Sequence, residues 1–169
     1  MGNDNGASPL SPEFITRNGD LFSKHFPPDL DEESMILKAH MLLEATLRDF
    51  CASCVTHPEH LRGRGFQFSQ VLSLAQALCP VTELNPYAER LWALAKNLQS
   101  LRNAMAHELE PDRRKIEKHM KAIVSLVNQQ ERGKGFDLRG SLEFMLGSFN
   151  AFLHFALFVA KHKDKQTSE

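Results

Sequence analysis

Cysteine is scarce, with three in 169 residues. Cys51, Cys54 and Cys79 cannot pair without one left over, which excludes a disulfide scaffold and points to free thiols in a reducing, cytoplasmic compartment. An excess of positive charge is missing too. The formal net charge is −1, so a general polycationic coat for nucleic acid is excluded and any such role must rest on a local patch. No apolar stretch follows a basic start, so no secretory leader is expected. No segment alternates with the period of two that marks strands, and no internal repeat occurs. A phosphate-binding glycine loop, an H-E-x-x-H pair and a G-x-S-x-G elbow are all absent. What remains is ordinary for a globular chain: 42% apolar and 24% charged residues, in a length that suits one domain.

The charge is unevenly placed. Residues 1–60 hold four Lys/Arg against ten Asp/Glu, and residues 111–169 hold eleven against seven. The positive charge therefore sits late in the chain. Residues 1–14 are rich in Gly, Asn, Ser and Pro, lack an apolar period, and end in a Ser-Pro-Glu-Phe that resembles a cloning-vector scar. They read as a disordered or vector-derived tail outside the fold. Residues 15–30 read as an N-terminal strap: Pro27 and Pro28 forbid a helix through that point, and Phe22 and Phe26 would pin it to the core. A single helical domain is expected over 31–162 and a disordered tail over 163–169.

Five helices are expected in that domain. Asp31 is a good N-cap, with Glu32 and Glu33 complementing the helix dipole. From there Met35, Ala39, Leu42, Leu43, Leu47, Phe50, Cys51 and Cys54 make a 3.6-residue stripe running to about Val55. A shorter helix covers Phe68 to Leu78 and is closed by Pro80. The third opens at Asn85-Pro86, an N-cap followed by proline at N1. It carries Leu91, Leu94, Leu98, Leu101 and Met105 and ends near His107, because Pro111 disfavours helix at Glu110. The fourth runs from Pro111 to about Gln130 with Ile116, Met120, Ile123, Val124 and Val127 inward. The fifth runs from Leu138 to Lys161 and includes five phenylalanines. Its apolar stretch from Leu142 to Ala160 is nearly long enough to span a bilayer. Glu143, Asn150 and His154 in its body make insertion costly, so it reads as a buried helix and no membrane partner is expected. Short connections favour an all-α antiparallel bundle.

The residues with chemical promise close the third helix: Leu98-Gln-Ser-Leu-Arg102-Asn103-Ala-Met-Ala-His107. Leu98 precedes Arg102 by four residues, and Met105 and Ala106 follow it by three and four. The arginine thus borders the apolar stripe, where a guanidinium needs an anionic or carbonyl partner or a cleft. His107 lies about 140° around the helix from Arg102. The two meet at one atom only if the helix ends at His107 or if two copies of the motif face each other. The plain alternative is that Arg102 pairs with a carboxylate and His107 caps the last carbonyls, without chemistry.

Arg102-Asn103 followed by Ala106-His107 resembles the R-x4-H signature of the HEPN superfamily, with the polar residue that usually follows the arginine. The first helix, Glu33 to Leu47, is also similar to the mannitol-repressor-like branch. The resemblance implies an all-α bundle that forms a homodimer and brings two motifs into one cleft. For active members it further implies metal-independent RNA cleavage, as in toxins held by an antitoxin or another regulatory protein. Arg102 would then bind the scissile phosphate, His107 would move protons, and Asn103 would orient one or the other. No cofactor and no metal are called for. One departure stands out: toxins modified by a nucleotidyltransferase antitoxin usually carry tyrosine two residues after the histidine, and here that residue is Leu109. A catalytically inactive regulatory or dimerisation module remains the alternative reading.

Two further groups have chemical potential. Arg113, Arg114, Lys115, Lys118 and Lys121 crowd the fourth helix, with Arg132, Lys134 and Arg139 beyond. Such a run is a solvated face or, directly after the motif, a track for an RNA backbone. Cys51, Cys54, His57 and His60 recur every three residues like zinc ligands, yet the two thiols lie on an inner helical stripe and read better as core. The homodimer has a second argument. Phe144, Phe149, Phe152, Phe155 and Phe158 offer more apolar area than one face of a small monomer is expected to bury.

Overall fold

The computed structural model describes residues 12–61, 65–80, 86–106, 111–131 and 134–166. Among these the chain is all-α: α1 Pro12–His25, α2 Glu32–Cys54, α3 Phe68–Leu78, α4 Pro86–Ala106, α5 Arg113–Gln130 and α6 Leu138–Gln166, with a single 3-10 turn at Pro58–His60. The five expected helices are present, and the last continues past Lys161 to Gln166, so residues 163–166, expected in a disordered tail, are helical. Asp31 caps α2, its two carboxylate oxygens accepting from the Ser34 amide at 2.8 Å and the Ser34 hydroxyl at 2.7 Å. α5 starts two residues later than expected, because Asp112 rather than Pro111 sets its start. The Asp112 carboxylate accepts from the Arg114 amide at 2.9 Å and so replaces one missing helical partner.

A sixth helix, α1, corrects the reading of an unstructured tail and strap. Pro27-Pro28 forbid a helix through themselves but not upstream, and α1 stops short of them at His25. Gly19, Asn18 and Asp20 dilute its helix propensity, and docking compensates. Phe14, placed in the tail by the sequence reading, is only 7% exposed and stacks on His154 of α6 at 6.4 Å. Buried Asn18 donates to the Phe14 carbonyl at 2.9 Å and accepts from the Thr46 hydroxyl of α2 at 3.1 Å. Arg17 pairs with Asp49, and Asn150 of α6 donates to the Ile15 carbonyl at 3.0 Å. After α1, buried Phe26 does pin the chain, with the Arg139 guanidinium 5.2 Å over its ring and donating to the Pro27 carbonyl at 3.2 Å.

α2 and α6 form the centre of the bundle: α2 packs on α1, α3, α4 and α6, and α6 on α1, α2, α4 and α5. In α6, Leu142, Met145, Phe149, Leu153 and Ala156 are fully buried. Phe149 and Phe152 meet the edge of Trp92 at 5.4 and 5.9 Å. Among the described residues it is also the one helix long and apolar enough to cross a membrane, and the bundle core takes up its apolar side. The turn into it is set by Gly135, whose φ of +57° lies in the left-handed region open to glycine. Asn128 of α5 then grips the Phe136 backbone, donating to its carbonyl at 3.0 Å and accepting from its amide at 2.7 Å.

Candidate functional site

α4 positions the motif. Ala88, Leu91, Ala95 and Leu98 are all fully buried and follow one another at intervals of 3, 4 and 3 residues. The next step of four lands on Arg102. The arginine therefore does not merely border the stripe; it occupies a core-facing place on the last turn, at the level where the apolar core gives out. Its hydrogen-bond neighbour among the described residues is Asn103, whose Oδ1 accepts from Nη1 at a long 3.4 Å. Among the described residues Arg102 has no carboxylate within ion-pair distance.

Arg102 and Asn103 open onto a cleft of about 400 Å3 between the middle of α2, the N-terminus of α3 and the end of α4. Its other walls are His40, Glu44, Phe66, Gln67, Phe68 and Gln99. Glu44 is already engaged: Arg48 Nε and Nη2 donate to its Oε1 at 2.9 and 2.6 Å, and Arg48 also donates to the Phe66 carbonyl at 2.5 Å. That pair cancels, so the charge left over in the cleft is the positive charge of Arg102. The N-terminal end of α3, capped by the reciprocal Gln67–Gln70 pair, adds a partial positive charge to the same wall. The cleft is thus suited to an anion.

His40 is the residue that sequence reasoning missed. It is 8% exposed, its ring lies 4.3 Å from that of Phe68, and its Nε2 is buried with no hydrogen-bond partner among the described residues. A buried polar nitrogen left without a partner costs about 1–3 kcal/mol. Burial holds the imidazole below its ordinary pKa; Glu44 opposes this and Arg102 reinforces it. The available signal was a histidine and a glutamate four residues apart, beside Ala39 and Leu43 on the α2 stripe.

His107 and Leu109 lie outside the described residues, as do Asn85 and Arg132. Arg113, Arg114, Lys115, Lys118 and Lys121 are all exposed on α5, and none lines the cleft. Lys121 reaches Glu117 at 3.8 Å. Cys51 and Cys54 face inward, and burial raises their thiols to about 12 and 11, so both stay protonated at neutral pH. His57 and His60 stand exposed at the 3-10 turn beside Glu59. Among the described residues no three His, Cys, Asp or Glu side chains converge as metal ligands would. A larger groove of about 700 Å3 between α1, the end of α2 and α6 contains none of the motif residues. Its Glu13, Asp20 and Asp49 face Arg17 and Lys161, and the Arg17–Asp49 pair already uses charge of each sign.

No family model, no curated protein and no solved structure matches the chain.

Proposed function

We propose that the protein is a metal-independent endoribonuclease of HEPN type, with the Arg102 cleft as its phosphate site. The observation that carries this reading is a guanidinium on the core-facing stripe of α4, with no carboxylate partner among the described residues, opening into a cleft whose other charges cancel. A guanidinium presents a planar fork of donors that fits two phosphate oxygens. Arg102 would hold the scissile phosphate and stabilise the charge that builds on the pentacoordinate transition state. His107 would supply proton transfer, since imidazole titrates near neutrality. The RNA 2′-oxygen attacks phosphorus as its proton passes to the imidazole. The P–O5′ bond breaks, and the 5′-oxygen takes up a proton. The products carry a 2′,3′-cyclic phosphate and a 5′-hydroxyl. Asn103, next to Arg102, steadies the guanidinium. The exposed cations of α5, Arg113 to Lys121, follow the motif along the chain and offer a track for flanking phosphates.

The test is incubation of purified protein with RNA in EDTA, followed by analysis of the ends. Cleavage is expected to survive chelation and to leave cyclic phosphate ends. Arg102→Ala and His107→Ala should each remove it with the helical fold intact, the histidine change by roughly 10²–10⁴ in rate. Arg102→Lys should not fully restore it, because an ammonium cannot bridge two oxygens as a fork does. Cleavage undiminished in both alanine variants would sink the assignment. An RNA left whole by the wild type would leave a binding module rather than a nuclease.

A further inference from the structure

We propose that Gln99 is a specificity-determining residue of the Arg102 site, its side-chain amide reading the edge of an unpaired adenine beside the phosphate that Arg102 holds. The assignment rests on the reading of the cleft as a polynucleotide phosphate site, but it concerns the choice of base in binding and not cleavage.

α4 carries three amide side chains, Asn97, Gln99 and Asn103, and two of them are occupied. Asn97 donates to the Ala93 carbonyl one turn back at 2.9 Å, and Asn103 accepts from Arg102. Gln99 is half-buried and lines the cleft. Its side chain makes no hydrogen bond among the described residues. The buried polar atoms that lack a partner belong to His40, Trp92, Gln130 and Asn150. The Gln99 amide, unbonded yet not one of these, is therefore open to solvent and to a ligand. Gln99 precedes Arg102 by three residues and Asn103 by four. That spacing puts all three on one face of α4, with neighbouring Cβ atoms roughly 5–6 Å apart. Base reader and phosphate holder are thus fixed by one rigid element, whatever the placing of the opposite wall. A strand held by its backbone offers a base next to each phosphate, and unpaired bases are recognised by hydrogen bonds to their edges. The amide has an acceptor beside a donor. Adenine answers both, its N6 amino group donating to Oε1 and its N7 accepting from Nε2. Guanine presents two acceptors, O6 and N7, and suits a guanidinium instead. Phe66 lines the same cleft half-buried and supplies an aromatic surface of the kind on which bases stack. The cleft volume of about 400 Å3 lies in the range of small-molecule sites, roughly 300–1,000 Å3.

The full-length chain can be titrated by calorimetry with the deoxydinucleotides d(ApA), d(CpC), d(GpG) and d(TpT), which have a phosphodiester but no 2′-hydroxyl to be cleaved. The first is expected to bind at least about fivefold tighter than the other three, the lower end of what a bidentate amide–base pair is worth. Gln99→Leu keeps the size and the helix propensity of the residue, and it should bring the four affinities within about twofold of one another. Gln99→Arg supplies two donors and should move the preference to d(GpG); it also serves if Gln99→Leu does not fold. Arg102→Ala should weaken all four by a similar factor, since the phosphate is common to them. An RNA duplex containing adenine should compete no better than one without it, because N6 and N7 there lie in a groove too deep and narrow for a side chain. Equal affinities in the wild type, or an adenine preference that persists in a folded Gln99→Leu, would overturn the proposal. So would a duplex whose adenines compete as well as those of a single strand. An adenine preference carried by Gln99 in a protein that leaves RNA whole would uphold this inference while refuting the nuclease. RNA cleaved at every base alike, with no preference that depends on Gln99, would do the reverse.

Discussion

Arg102 stands where the repeat of α4 would put another leucine, and that single substitution of charge for hydrocarbon organises the site. A guanidinium at the edge of a core resists burial unless it is paired, and this one stays half-buried with Asn103 as its hydrogen-bond partner. His40, across the cleft, is kept neutral by the same low-dielectric surroundings. Its folded pKa is lowered from the ordinary 6.5, so the unfolded chain binds the proton more readily. The stabilising contribution is fully present above about pH 6.5 and is lost as pH falls through the lowered folded value. Melting temperature should therefore drop between pH 7.5 and 5. In His40→Gln the drop should be shallower, though not abolished, because His119 is lowered too by burial and by Lys118. An equal slope in the variant would assign the pH dependence elsewhere. His40 was illegible in the sequence because a histidine inside an apolar stripe is equally a satisfied core residue. Only the meeting of α2 with α4 reveals which nitrogen lacks a partner.

Among the elements, α5 and α6 are joined by a corner whose parts depend on one another. Gly140 has no room for a side chain: an added Cβ would lie 2.8 Å from the Phe136 ring. Asp137 accepts from the Gly140 amide at 2.8 Å, and Phe136 packs on Phe144 at 5.8 Å. Asn128 closes the corner with its two bonds to the Phe136 backbone. Asn128→Ala removes both and should destabilise the protein by about 1–3 kcal/mol. Chemical denaturation would measure this, and Asn128→Asp, which keeps the acceptor and loses the donor, should fall between. The helices themselves were legible because their caps and stripes are local. α1 was not, since its inner positions include Asn18 as well as Phe14, Leu21 and Phe22. Its stability comes from Thr46, Asp49 and Asn150 on other helices, and no window of its own sequence contains those partners.

For the whole molecule the open question is assembly. The five phenylalanines of α6 do not form an exposed apolar face. Phe149 and Phe152 are buried, Phe144 packs against Phe136, Phe158 is half-buried, and Phe155, at 52% exposure, is the exposed member of the five. A homodimer must therefore be sought through the motif rather than through that helix. If the site is shared, with Arg102 and His107 drawn from two copies, the inactive Arg102→Ala and His107→Ala chains should complement each other when mixed and reassembled. One of the two clefts in each mixed dimer is then whole, so roughly a quarter of wild-type RNA cleavage should return for random pairing in a two-fold dimer. No recovery, with mixed dimers shown to form by mass, would place both residues in one chain.

By itself the sequence determined the all-α class, the places of five helices and the nomination of Arg102. Each of these depends on residues within a few turns of one another, read through caps, prolines and a 3.6-residue period. Tertiary structure decided the rest. It recruited α1 through polar contacts with distant helices. It also absorbed the phenylalanines of α6 against Trp92 and Phe136. In the cleft it brought His40 opposite Arg102 while Arg48 neutralised Glu44. Those outcomes depend on which faces meet, and the decisive meetings join different helices, as Asn18 with Thr46 and Ile15 with Asn150 do, 28 and 135 positions apart, beyond the reach of any local pattern.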